Sequence, residues 1–178
     1  MGSRASTFGA CSRNFSRATL YRIFPGKPSL LTALIETYSP LEPVAQVLAT
    51  RGDELPAVLM PELARTAFRA TAGRVGLIRV LFSEISSLSP ETEEVAARTI
   101  TKIVGQLVMY LTAHMAAGTL RRTHPLLALQ GLVGPVLFHI LTRPLAERFL
   151  DLDIDGETAV TQLAEAWLRA MTPEEEGA

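Results

Sequence analysis

The residues best equipped for chemistry in this 178-residue chain crowd toward its N-terminus. In "NFSRATLYRIFPGK", residues 14–27, Arg17, Arg22 and Lys27 stand among Thr19 and Tyr21. Two guanidiniums, an ammonium, a hydroxyl and a phenol are groups that pair with phosphate oxygens and base edges. The charge distribution points the same way. Of the seventeen lysines and arginines, five precede Glu36, where no acid occurs, and twelve share the rest of the chain with all eighteen acids. The net charge of −1 hides this split, which directs the first segment toward a polyanion. A basic tail is the alternative.

Local signals shape the segment into a short helix, Arg17–Phe24. Ser16 is placed to accept a hydrogen bond from an amide of the first turn. Phe15 and Leu20 occupy the two positions of a hydrophobic staple, and Asn14 tolerates the left-handed backbone of a tight turn. On a helical projection Leu20, Ile23 and Phe24 share one side. Ala18, Tyr21 and Arg22 point the other way, with Arg17 and Thr19 on the flanks, and the small Ala18 permits close approach. After Pro25-Gly26 a second helix begins at Lys27, where free amides beside an ammonium form a phosphate site. Pro28 is tolerated in its first turn.

"FSRATLYRIFPGKPSLL" resembles the recognition-helix segment of tetracycline-repressor-type (TetR family) transcriptional regulators, in which the pattern is close to G-V-S-x-x-T-L-Y-x-H/Y-F-x-x-K-x-x-L. Ser16, Thr19, Leu20, Tyr21, Phe24, Lys27 and Leu30 match in register, whereas Asn14, Phe15 and Ile23 depart from it. The resemblance implies a ligand-responsive regulator, with repression the expected direction. It implies a double-stranded DNA operator faced by Ser16, Arg17, Ala18, Thr19, Tyr21, Arg22 and Lys27, with Tyr21 and Lys27 mainly on phosphate. It also implies a homodimer joined through the last two helices, a helical body that takes an effector, and a bacterial cytoplasmic location. The family has further residues ahead of this segment, where thirteen precede Asn14. The expectation is therefore a truncated helix-turn-helix head over residues 1–40, with residues 1–13 loose or forming one short helix, and weak operator binding.

The elements that must position these groups read as helices throughout, an all-α chain with no period-2 strand. A weak helix is expected over Ala5–Ser12. "KPSLLTALIETY" is amphipathic, with Leu30, Leu31, Leu34, Ile35 and Tyr38 on one side, and Ser39-Pro40 ends or kinks it. "LEPVAQVLATRG" extends it to Gly52. Helices follow over Leu55–Arg69, Arg74–Ile85, Pro90–Ala117, Pro125–Arg148 and Glu157–Met171, with Pro61 and Pro135 kinking two of them. Ser89, Thr123 and Asp155 are the expected caps, and Gly118 a stop. Residues 41–173 then make an effector-binding and dimerisation body, and residues 174–178 a loose tail.

Within that body, Phe68, Leu81, Phe82, Met109 and Phe138 are candidates to line an apolar pocket with Tyr110, His114 and His139, and with Leu77, Met115 and Gln106 nearby. The effector is expected to be small and mostly apolar. Leu129, Val133, Val136, Leu137 and Ile140 of one helix and Val160, Leu163, Trp167 and Met171 of the next offer a dimer interface, with Gly131 and Gly134 allowing close approach. The same residues also fit an intrachain core.

Other chemistries find little support. Asp151, Asp153, Asp155 and Gly156 fit a calcium loop, but its twelfth position is Gln162, which cannot donate a bidentate carboxylate. His114, His124 and His139 lack metal-ligand spacing, Cys11 is the lone cysteine, and no cofactor fingerprint occurs. No metal, no cofactor and no enzymatic activity are expected. Pro125–Thr142 lacks Asp, Glu, Lys and Arg, yet it carries Gln130, two glycines, Pro135 and His139 and reads as an interface helix rather than a membrane span. Two alternatives stand beside the regulator: a degenerate helical ligand-binding and dimerisation protein with little DNA binding, and a helical-bundle enzyme.

Overall fold

A computed structural model of the chain describes residues 33, 41–76, 78, 79 and 90–173. Five helices carry these residues: α1 (Leu41–Arg51), α2 (Pro56–Thr71), α3 (Pro90–Ala116), α4 (Pro125–Phe149) and α5 (Gly156–Ala170). No strand occurs among the described residues, so the body is all-helical as expected. The expected helices over 5–12 and 17–24, most of those over 27–38 and 74–85, the Ser89 cap and the tail at 174–178 lie outside the described residues.

The helix boundaries follow local chemistry. Pro56 and Pro125 open α2 and α4, where the missing N–H costs nothing. Leu55 caps α2 without a side-chain bond. His124, and not Thr123, occupies the N-cap of α4, also without one. Asp155 caps α5 by accepting from the amides of Glu157 and Thr158, both at 3.0 Å, and Thr158 Oγ1 donates to its second oxygen. Helix α3 ends where Gly118 takes φ 73°, the left-handed position that favours glycine. The amides of Thr119 and Leu120 then turn back onto the His114 carbonyl.

Helix α2 packs most extensively against α5 and also against α1 and α4, while α3 bridges α1 and α4. The inner stripe of α2 (Leu59, Met60, Leu63, Ala64) meets Val160 and Ala164 of α5, all at most 5% exposed. Ile103, Leu107, Leu111 and Met115, spaced four residues apart on α3, are buried on one face, whereas Ile100 is 46% exposed.

One close approach sets the α2–α5 spacing. A Cβ on Gly156 would lie 1.9 Å from Cζ of Phe68, so the phenyl edge rests directly on the backbone at the start of α5. Around this contact Arg69 pairs with Glu157 at 2.8 Å, and Glu62 pairs with Arg65 at 2.7 Å. Farther along, the Trp167 indole donates to the Ala128 carbonyl at 2.8 Å, fixing α5 to α4. The Arg121 amide donates to the Met171 carbonyl at 2.8 Å, which closes the end of the bundle.

Any side chain at position 156 must displace that ring. Gly156→Ala is expected to destabilise the chain by about 1–3 kcal/mol, the usual range for overpacking a tight site. Adding Phe68→Leu should restore part of the loss. Urea denaturation followed by Trp167 fluorescence measures both; an unchanged midpoint in Gly156→Ala would show that the seam is looser than its geometry.

Candidate functional site

Helix α3 brings Gln106, Met109, Tyr110, Ala113 and His114 to one face, because positions three, four, seven and eight apart align on a helix. Leu48 and Ala49 of α1 and Gly52 just beyond it stand opposite, and the two walls enclose an open cleft of about 280 Å³. Gly52 suits its place: a Cβ there would lie 2.5 Å from the Leu48 carbonyl oxygen. Its lack of a side chain also keeps one wall low.

The polar groups of the cleft are unequally employed. The Tyr110 hydroxyl donates to the Glu54 carbonyl at 2.7 Å, tying α3 to the α1–α2 turn. Burial, helped by Glu54, pushes its pKa well above the usual phenol value, so it stays a protonated donor. The Glu54 carboxylate meets Arg51 through two hydrogen bonds of 2.8 and 2.9 Å. The His114 ring lies 4.4 Å from that of Tyr110, and its Nδ1 is 2.8 Å from Thr119 Oγ1. Gln106 Oε1 is buried and has no hydrogen-bond partner among the described residues.

The cleft gathers only part of the expected pocket. Met109, Tyr110 and His114 line it, together with Gln106. Phe68 is consumed by the contact with Gly156. Phe138 is 69% exposed, and His139 sits on α4 with Nε2 3.4 Å from Arg143. Leu77, Leu81 and Phe82 lie outside the described residues, as do all seven expected DNA-facing residues, Ser16, Arg17, Ala18, Thr19, Tyr21, Arg22 and Lys27. A second open cleft, about 500 Å³, lies between the start of α2 and the end of α5. Among the described residues no cluster of His, Cys, Asp or Glu is arranged to hold a metal.

The expected dimer residues divide by face. Leu129, Val136, Ile140, Val160, Trp167 and Met171 are each at most 7% exposed within the subunit. They hold α4 and α5 to the bundle, the intrachain-core alternative, and cannot meet a partner where they stand. Leu137 and Leu163 are half-buried, and Val133 is 45% exposed. Opposite the buried face, Leu127, Gly134, Phe138, Leu145 and Phe149 follow steps of seven and four residues along one exposed stripe. Their large side chains are 55–71% exposed. The interface residues expected from sequence lie largely on the inner stripe of α4; that its outer side is also apolar shows in the sequence as a helix apolar on all sides. Among the described residues α4 is also the one helix long and apolar enough to cross a membrane, with 28% of its most apolar stretch buried.

No family model matches the chain, and no curated protein does. Among solved structures it is similar to a protein of unknown function from Rhodococcus sp. RHA1, with a TM-score of 0.69 at 14% identity over 89% of this chain and 80% of that one. The likeness is one of fold.

Burial holds His114 below its ordinary 6.5. Burial and the nearby Arg143 do the same to His139, against a smaller opposing pull from Glu147. Both rings bind a proton less readily folded than unfolded. As pH falls from the unfolded value of 6.5 through the lower folded values, the unfolded chain takes up more protons and stability drops. Asp155, held down by Thr158, and Glu62, held down by Arg65, stay ionised over this window. The urea midpoint is therefore expected to fall between pH 7.5 and pH 5.5, and to fall less in a His114→Gln/His139→Gln double variant. Equal pH slopes in the two proteins would contradict this.

Proposed function

We propose that the chain is a ligand-responsive DNA-binding transcriptional regulator of the TetR type, acting as a homodimer. The observation that carries the reading is the register of Ser16, Thr19, Leu20, Tyr21, Phe24, Lys27 and Leu30, with an acid-free basic segment around them. The all-helical body beyond residue 41 and the cleft on α1, which begins fourteen residues after Lys27, are compatible with it. On this reading an effector in the cleft shifts α1 and with it the spacing of two recognition helices, which must stand one or more DNA turns apart.

The outer stripe of α4 is the surface assigned to the partner copy. Exposed apolar surface of this extent marks an interaction site, and two α4 helices laid together with the neighbouring α5 helices form a four-helix contact. A membrane is the other apolar partner that such a helix could meet. The inner half of α4 is already packed against its own subunit, and this favours a protein.

Two measurements test the proposal. Selection of bound duplexes from a random DNA library is expected to enrich a two-fold-symmetric site; the chain shifts that site in gels, and Arg17→Ala/Tyr21→Phe/Lys27→Ala abolishes the shift. Enrichment of no sequence favours the degenerate ligand-binding alternative. Sedimentation is expected to give a dimer, converted to a folded monomer by Phe138→Glu/Leu145→Glu, since burying an unpaired carboxylate at such a contact is strongly unfavourable. A monomeric parent chain removes the dimer from the reading.

A further inference from the structure

We propose that the partner copy lies antiparallel on the outer stripe of α4 in one register, with Phe138 of each subunit filling the space beside the partner's Gly134. The proposal rests on assigning that stripe to a second copy, and it adds the direction and alignment of the contact.

Two identical chains related by a two-fold axis meet through one patch, so that if one position touches a second, the second touches the first. In an antiparallel pair of helices the contacting positions mirror each other about a common centre. In a parallel pair each residue meets its own copy. The stripe has the first symmetry. Leu127, Gly134, Phe138 and Leu145 are separated by seven, four and seven residues, a spacing that reads the same in both directions about position 136. Reversed about that centre, Leu127 falls opposite Leu145 and Gly134 opposite Phe138. The shapes agree with the positions. Gly134 has nothing within 4 Å of where a Cβ would stand, and Phe138 is 69% exposed. An uncovered ring thus falls beside the room that a missing side chain leaves. Leu127 and Leu145, 61% and 55% exposed, cover each other at the two ends. A parallel pair would instead crowd two phenyl rings and leave a void between two glycines, against the close packing of protein interfaces. Both ends are covered only if the helices run side by side over the roughly 27 Å from position 127 to position 145. That is the shallow crossing of four-helix bundles rather than a steep one. Phe149 falls opposite position 123, ahead of the partner's α4, and adds no pair.

Disulfide trapping tests the register. In a Cys11→Ser background, which removes the only cysteine, the Leu127→Cys/Leu145→Cys chain is expected to give a closed, disulfide-linked dimer under mild oxidation. Peptide mapping should join position 127 to position 145. The two positions cannot bond within one chain, since a disulfide spans at most about 7 Å between Cα atoms. Leu127→Cys and Leu145→Cys alone are expected to stay unlinked, because like positions stand at opposite ends of the contact. Sedimentation gives an independent reading. Gly134→Phe and Phe138→Ala should each weaken dimerisation roughly tenfold or more. Gly134→Phe/Phe138→Ala, which exchanges bulk and gap, should recover most of that loss. Circular dichroism and Trp167 fluorescence check that the variants remain folded. Crosslinked single variants, linkage of like positions, a ladder of higher oligomers, no crosslink in a chain that sediments as a dimer, or an exchange variant as weak as its parents each overturns the register, and the dimer of the parent chain then stands without it. A monomeric parent chain overturns both.

Discussion

The contact of Phe68 with Gly156 is the constraint from which the arrangement of the body follows. A ring edge against bare backbone brings α2 and α5 closer than any side chain at position 156 would allow. Asp155 caps α5 at the same point, and Arg69 reaches Glu157 across the seam. With its start fixed there, α5 presents Ala159, Val160 and Ala164 to α2. About three turns from its start it delivers the Trp167 indole to the Ala128 carbonyl. Small residues on α5 are what make the approach possible; the aromatic groups at its two ends lock the direction. Surface ion pairs of this kind contribute little alone, so Arg69 and Glu157 orient a seam that burial holds.

That docking determines what α4 can do. Trp167 and the inner stripe of Leu129, Leu132, Val136 and Ile140 commit one side of the helix to its own subunit. The opposite side is equally apolar and stays uncovered. A helix apolar all round is stable in water only when both faces are covered. The fold supplies one cover, and the second has to come from outside the described residues. Gly134 within the outer stripe has open space where a Cβ would stand, leaving room for another backbone to come close.

Helix type and position were legible because periodicity and punctuation agreed. Pro90, Pro125 and the Asp155 cap marked starts, and Gly118 a stop, and α3, α4 and α5 fall within a residue or so of those marks. Which face of an apolar helix turns inward was not legible. On α4 both stripes satisfy the same spacing, and the packing of α2, α3 and α5, with Trp167 among it, selects between them. Phe68 illustrates the same difficulty: its type suited a pocket wall, but a glycine 88 residues later in the chain captured its ring. The cleft residues Met109, Tyr110 and His114 were recoverable because they share one helix face, where spacing alone predicts proximity. Their opposite wall on α1 required the tertiary packing of α1 against α3.

On the proposed regulator reading, the anchoring of α1 decides what an occupant of the cleft could move. Val44 and Leu48 of that helix are buried, and Leu41, Ala45 and Val47 pack half-buried against the core; full burial is worth roughly 1.5–3 kcal/mol for each large side chain, before the entropy of ordering is subtracted. Coupling energies between effector and partner sites are typically about 1–3 kcal/mol, the same order. A molecule wedged between Ala49 and Met109 thus need not unfold anything to displace α1; it must only bind one position of the helix better than another. The Tyr110 bond to the Glu54 carbonyl limits that displacement at the C-terminal end, because the α1–α2 turn is tied to α3 there. At the opposite end of α1, Leu41 packs half-buried against the core. On the proposed reading, an occupant beside Leu48 and Gly52 would stand close to this tied end of α1.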